Sequence, residues 1–468
     1  MMVGPHASLA LYNAAWTASL PAVLARLWWR GRREPAYRQG WAQRMGHWSV
    51  PPVSVGDGRR VWLHAVSLGE TRAALPLVQA LRAQWPGLQL VLTTGTATGF
   101  AAGLDLLMPG DLHGWVPLDT PAATRRFFAA TRPDVGVLME TETWPNLLLQ
   151  AEAAGVPMVL ANARLSERSL AKGLRWPGLT RPMMGRLSAV CAQTERDAHH
   201  LEQAGVPAAR IQISGNLKYE LHPSQALLDR GHQWSGRAQG GASGLAPATS
   251  EMNTPRLNTP PPQARRRIVM AASWREGEDA PLLQAWCEQV GRRGHARALL
   301  LLVPRHPQRF DEVHAALAAA GLTVSRRSTW GPDGPTEADW QADAWLGDTV
   351  GEMPAYYAAA DVALLGGSFA SLGGQNLIEA AACACPIVMG PHTFNFNEPS
   401  AQALEEGAAW RAADVAQALS LALNIEDRAL QQARSAGLAW VAAHAGAAQR
   451  QAQAVAERLQ SLSSGAKA

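Results

Sequence analysis

Cysteine is scarce in this chain: four residues in 468, with no Cys-x-x-Cys spacing. That argues against a disulfide framework and against a zinc site of the usual ligand pattern. Cys383 and Cys385 flank an alanine beside an apolar run and read as buried core thiols, which fits a reducing cytoplasm. Charge is also thin, at 17% of residues against 47% apolar ones, a balance that fits neither disorder nor a multi-span membrane protein. No Gly-x-x-x-x-Gly-Lys-Ser/Thr stretch occurs, which argues against a P-loop NTPase. No basic stripe with interleaved aromatics runs through the body, so nucleic acid is not an expected partner.

What charge there is lies unevenly. The net charge is +4, yet the first 50 residues hold six arginines (Arg26, Arg30, Arg32, Arg33, Arg38 and Arg44) against Glu34 alone. The rest of the chain is nearly neutral. Residues 7–25 carry no charge, are mostly apolar, and run into Arg26-Leu-Trp-Trp-Arg-Gly-Arg-Arg. A secretory signal puts its positive charge first, so that reading is poor. Trp28 and Trp29 beside an arginine cluster fit an anchor at an anionic membrane surface. The alternative is a soluble helix packed on the body. Whether the segment spans or lies flat stays open, since nineteen residues just suffice to cross and Pro21 weakens the span.

A chain this long is expected to form two domains. From residue 60 onward, short apolar runs alternate with helical patterns. Strands are expected at 61–66, 88–94, 115–118, 135–140, 158–162, 189–193 and 211–214. A second series follows at 268–272, 298–303, 322–324, 344–347, 362–365 and 386–389. This alternation predicts two α/β units with mainly parallel sheets, covered on both faces. Between them, residues 224–267 are rich in Gly, Ser, Ala, Pro and Thr and read as a low-complexity insert. The expected layout is a membrane-associated segment over 1–35, an N-terminal Rossmann-like domain over 36–223, the insert, and a C-terminal Rossmann-like domain over 268–468. Such folds bind ligands outside the carboxyl ends of their strands.

Four stretches put polar residues and glycines just after expected strands: His64-Ala-Val-Ser-Leu-Gly-Glu70, Met139-Glu-Thr-Glu-Thr-Trp-Pro-Asn146, Leu302-Val-Pro-Arg-His-Pro307 and Gly366-Gly-Ser-Phe-Ala-Ser-Leu-Gly-Gly-Gln-Asn-Leu-Ile-Glu379. The last offers N–H groups at a helix start for a phosphate, and the carboxylate of Glu379 one turn inside for ribose hydroxyls. Tight packing of strand on helix is the plainer alternative. Arg305 is placed to neutralise the same phosphate. Ser67-x-x-Glu70 is also a capping box, so Glu70 has a structural reading beside a chemical one. Glu140 and Glu142 fit either a structural network or contact with an acceptor. Transferases with diphosphate donors often hold a divalent metal on Asp-x-Asp; that pair is missing, which leans towards a reaction without metal, and no cofactor is expected.

The motifs resemble those of the bacterial Kdo (3-deoxy-D-manno-octulosonic acid) transferases, from about residue 11 to 440. The matching stretches include His64-x-Val-Ser-x-Gly-Glu70, Met139-Glu-Thr-Glu-x-Trp-Pro-Asn-Leu147, Ala161-Asn-Ala-Arg-Leu-Ser166, Gly215-Asn-Leu-Lys218, Leu302-Val-Pro-Arg-His-Pro307, Gly347-Asp-Thr-x-Gly-Glu352 and Met389-Gly-Pro-His-Thr-Phe-Asn-Phe396. The resemblance implies a GT-B glycosyltransferase with two Rossmann-like domains facing a cleft. It implies transfer of Kdo from CMP-Kdo to a lipid A precursor on the cytoplasmic side of the inner membrane, without metal and with inversion. Glu70 would be the general base. Pro304 and Arg305, Val350, Gly351 and Glu352, and Asn376, Leu377, Ile378 and Glu379 would contact CMP. The chain departs from the family at Trp274 and Arg275 and at Gln375, where a histidine is usual.

Overall fold

The computed structural model describes residues 4–51, 58–220, 223–236, 266–292 and 298–465. Two compact units emerge: residues 1–220 with 444–468, and residues 221–443. In the first, seven strands run in the order β3-β2-β1-β4-β5-β6-β7. They are β1 (Arg60–His64), β2 (Gln89–Thr94), β3 (Leu112–Trp115), β4 (Val135–Met139), β5 (Met158–Ala163), β6 (Ala189–Ala192) and β7 (Ile211–Ile213). Every pairing is parallel. β1, β4 and β5 are buried along their whole length, which is why apolar side chains predominate on both of their faces instead of alternating with polar ones. One face packs Val61, Leu63, Leu77 and Val137. The other packs Trp62, Phe127, Phe128 and Leu138.

The second unit repeats the plan in the order β10-β11-β9-β8-β12-β13-β14. Its strands are β8 (Arg267–Trp274), β9 (Ala298–Pro304), β10 (Val324–Arg326), β11 (Ala344–Leu346), β12 (Val362–Leu365), β13 (Ile387–Met389) and β14 (Ala409–Arg411). These too are all parallel. In each sheet the strand order reverses beside the first strand: between β1 and β4, and between β8 and β12. Doubly wound sheets place ligands at such switch points.

Three departures from the sequence expectations bear on how the two units are built. The third strand lies at Leu112–Trp115 rather than at 115–118. Pro117 has no N–H for a ladder, and the Leu118 N–H donates to the Arg44 carbonyl at 2.8 Å instead. Residues 225–234, assigned to the insert, form a helix in the second unit. Gly231 there is a close-approach glycine: a Cβ would lie 2.1 Å from the Ala355 carbonyl oxygen. Trp234 fills the contact, edge-on to Trp330 at 5.4 Å. The rest of the insert, 237–265, lies outside the described residues.

The third departure is the last helix, Ala447–Gly465, which returns to the first unit instead of completing the second. Its Val455 and Leu459 join the core beneath β1 and β4. Fully buried Gln451 accepts the Asn162 N–H at 2.9 Å and donates to the Gly215 carbonyl at 3.2 Å.

The helix Pro5–Arg30 is docked on the first unit rather than free of it. Tyr12 donates to Asp119 at 2.7 Å, and the Asn146 amide donates to Asn13 at 2.8 Å. Trp28 and Trp29 remain 51% and 69% exposed. Arg32 and Arg38 pack their guanidinium groups against the Trp28 ring. Among the described residues no helix is long and apolar enough to cross a membrane.

Candidate active site

In the first unit, the chain leaves β1 through Ala65 and Val66 and enters the helix Leu68–Gln84. Ser67 caps it by accepting the Glu70 N–H at 3.3 Å. The Glu70 carboxylate then accepts the Ser67 hydroxyl at 2.8 Å and the Val66 N–H at 2.8 Å. The expected capping box is thus half formed, because the return bond lands one residue before the cap. Such caps contribute roughly 0.5–2 kcal/mol.

Burial pushes the Glu70 carboxyl above its ordinary value; the Val66 and Ser67 bonds pull it down, and the nearby charges of Glu140 and Glu142 push it up again. The net direction is upward. A capping glutamate beside a helix N-terminus alone is expected to go the other way. A carboxyl held poised in this manner is suited to exchanging a proton with a substrate hydroxyl.

Across the switch point, Glu140 follows β4 with a left-handed φ of 56°. Arg164 and Lys218 meet its carboxylate at 3.0 and 3.5 Å. Glu142 accepts the Trp144 indole N–H at 3.2 Å, and its carboxyl is raised, chiefly by burial. Next along the edge, Asn162 also adopts a positive φ of 51° and accepts the Leu217 N–H at 2.9 Å. The ends of β1, β4, β5 and β7 therefore present three carboxylates, an arginine and a lysine. His64, buried in β1 and bonded to Thr93, is pushed down to about 4 by burial and stays neutral.

In the second unit the central feature is a residue absent from the sequence-derived candidates. Glu278 is 1% exposed. Its carboxylate accepts four backbone N–H groups: Arg275 at 3.1 Å, Gly367 at 2.8 Å, Phe369 at 3.1 Å and Ala370 at 3.0 Å. Three N–H groups of the Gly-rich stretch, expected to cradle a phosphate, are thus engaged by a protein carboxylate. They shape the loop instead. The signal that could have found it is the Glu276-Gly277-Glu278 run directly after β8.

The other expected residues share the same strand edge. Pro304 ends β9, and the Arg305 side chain donates to Gln375 at 3.3 Å, so these two stretches meet. Asn376 caps the helix Leu377–Ala382 through the Ile378 N–H at 3.2 Å. Leu377 and Ile378 are buried side chains, leaving backbone as their polar contribution. Glu379 lies in the first turn of that helix. Val350 is 76% exposed beside Gly351, whose φ is 86°. Glu352 is committed elsewhere: it accepts Thr349 at 2.5 Å, Arg230 at 2.8 Å and Arg327 at 2.9 Å. Burial pushes its carboxyl up, but those bonds outweigh it and hold the group below its usual range. Among the described residues no group of three or more His, Cys, Asp or Glu side chains is placed to hold a metal ion.

Comparison with known proteins accords with both units. Residues 39–221 match the family described as 3-Deoxy-D-manno-octulosonic-acid transferase (kdotransferase). The 3-deoxy-D-manno-octulosonic acid transferase of Bordetella pertussis is 44% identical over 462 residues, spanning 96% of this chain and 99% of that protein. That of Haemophilus influenzae is 33% identical over 390 residues, spanning 83% of each. Among solved structures, UDP-GlcNAc 2-epimerase from Neisseria meningitidis bound to UDP-GlcNAc superposes with a TM-score of 0.51 at 12% identity, over 86% of this chain and all of that one. At that identity the likeness concerns the fold, which is GT-B. With near-complete coverage of the Bordetella pertussis relative, the chain belongs to the 3-deoxy-D-manno-octulosonic acid (Kdo) transferase family and is an enzyme of that kind.

Proposed function

We propose that this enzyme moves Kdo from CMP-Kdo to a hydroxyl of a lipid A precursor, lipid IVA, in lipopolysaccharide synthesis. The first unit supplies the base and the second holds the donor. The observation that carries the reading is Glu70: a half-buried carboxyl at the β1–β4 switch point, raised by burial and by two neighbouring glutamates.

In the reaction, the acceptor oxygen bonds to the anomeric carbon of Kdo while its proton passes to Glu70. The bond from that carbon to the phosphate oxygen breaks, and the electron pair leaves with CMP. Attack from the side opposite the leaving group inverts the anomeric carbon. The departing phosphate needs cations and N–H donors. Arg305 and the backbone around Pro304, Val350, Gly351 and Asn376–Glu379 serve that end, with no divalent metal in the step. Glu352 contributes indirectly, through the loop that it pins to Arg230 and Arg327. Glu379 accepts ribose hydroxyls.

We place the enzyme on the cytoplasmic side of the inner membrane, held by Trp28, Trp29 and the adjoining arginines. The test is purified protein with CMP-Kdo and lipid IVA. Stoichiometric CMP release and a product heavier by Kdo units support the reading. No product with CMP-Kdo, or transfer from a UDP-sugar instead, contradicts it.

A further inference from the structure

The turn after β8 is built with unusual constraint. Ser273 adopts a φ of 50°, and Trp274 is fully buried. The buried Glu278 carboxylate ties the Arg275 N–H to the three N–H groups of the loop after β12. The Arg305 N–H donates to the Trp274 carbonyl at 3.0 Å, which fastens the end of β9 to the same turn. Gly366 lets the loops close, since a Cβ there would lie 2.4 Å from the Ser273 carbonyl oxygen. Three strand ends are thereby locked together, and the side chains that they project are held in place.

Those side chains are Arg275, Arg305 and Gln375. A Cβ on Gly367 would lie 3.2 Å from the Gln375 amide nitrogen and 3.5 Å from the Arg275 Cγ. Gln375 accepts Arg305 at 3.3 Å through its oxygen. One guanidinium, that of Arg305, is thus bonded to Gln375, and the stem of Arg275 runs past the same glycine, which has no side chain to crowd either of them. The acid paired with Arg275 is Glu276 at 2.9 Å, whose side chain is 52% exposed. An exposed pair of this kind is worth little, so an arriving anion displaces Glu276 at small cost.

We propose that Arg275 is a donor-binding residue that takes the carboxylate of the activated sugar, while Arg305, across Gln375, takes the phosphate. The assignment rests on the reading of CMP-Kdo as donor. That molecule carries two anionic groups, and the site carries two arginines. Arg305 is bonded to the glutamine directly preceding Asn376 and Glu379, where the nucleotide is held. Arg275 lies on the Gly367 side. A planar guanidinium meets a carboxylate with two parallel N–H bonds, which selects an acidic sugar over a neutral one.

The test compares two ligands that share the phosphate but not the carboxylate. In Arg275→Gln, KM for CMP-Kdo is expected to rise about tenfold or more, the usual worth of a bond to a charged group. Inhibition by CMP is expected to change less than about twofold on the same grounds, and the thermal midpoint is expected to hold. Arg275→Lys, which keeps charge without the planar fork, should fall between. Equal losses for donor and CMP, or an unchanged KM, overturn the assignment. A wild-type enzyme that transfers nothing from CMP-Kdo overturns the donor reading instead.

Discussion

Glu278 and Gly367, 89 positions apart in sequence, are joined by a 2.8 Å bond from the glycine N–H to the buried carboxylate. The same carboxylate holds three further N–H groups, so two loops take their shape from one side chain. Glu278→Ala strands buried donors and is expected to destabilise the protein by on the order of 3 kcal/mol. Glu278→Gln keeps one acceptor oxygen and should lose less. Urea unfolding of the two variants checks this, and an unchanged midpoint for Glu278→Ala contradicts it.

Glu379 stands one turn into the helix Leu377–Ala382, beyond the loop that Glu278 shapes. Glu379→Ala is expected to weaken CMP binding by roughly 1–3 kcal/mol, the worth of a lost charged hydrogen bond. Calorimetric titration with CMP reads it. Intact binding would move the ribose elsewhere.

Trp28 and Trp29 project from a helix that Tyr12 and Asn13 fasten to the first unit. Changing Arg30, Arg32 and Arg33 to Glu should reduce sedimentation with anionic vesicles and leave the remainder less sensitive to salt. Sedimentation equal to wild type contradicts the membrane assignment.

The sequence shows the parallel strands plainly because strands buried on both faces are continuously apolar, as in β4 and β9. It hides β14, which is three residues long and has an exposed Arg411. It misplaces residues 225–234, because Gly231 looks like linker composition until Ala355 is seen against it. Helical periodicity marks the last helix but cannot say which core receives it; the bond between Gln451 and Asn162 links positions 289 apart. Of the site, Glu70 and Arg305 are legible from their place after apolar runs. Glu278 is not, since its role depends on left-handed turns at Ser273 and Gly367 that bring distant N–H groups to one point.

The raised Glu70 carboxyl sets a pH dependence. A base must be ionised, so kcat/KM should fall as pH drops through a value above that of an ordinary glutamate. For stability the sign is opposite. A folded-state value above the unfolded one favours the protonated native state, a gain present at low pH and lost as pH rises through the folded value. Glu70→Gln removes that loss and should not lower stability near neutrality. An acid limb lying at or below the ordinary glutamate range contradicts the assignment.

The most direct test of Glu70 as the base is kcat of Glu70→Gln, measured alongside its thermal midpoint. Gln keeps the size of the side chain and is an accepted partner in a capping box, but it takes no proton from a hydroxyl. If Glu70 is the base, kcat falls by roughly 10²–10⁴-fold with the midpoint nearly unmoved. A stable Glu70→Gln enzyme turning over at close to the wild-type rate would show that Glu70 only caps its helix.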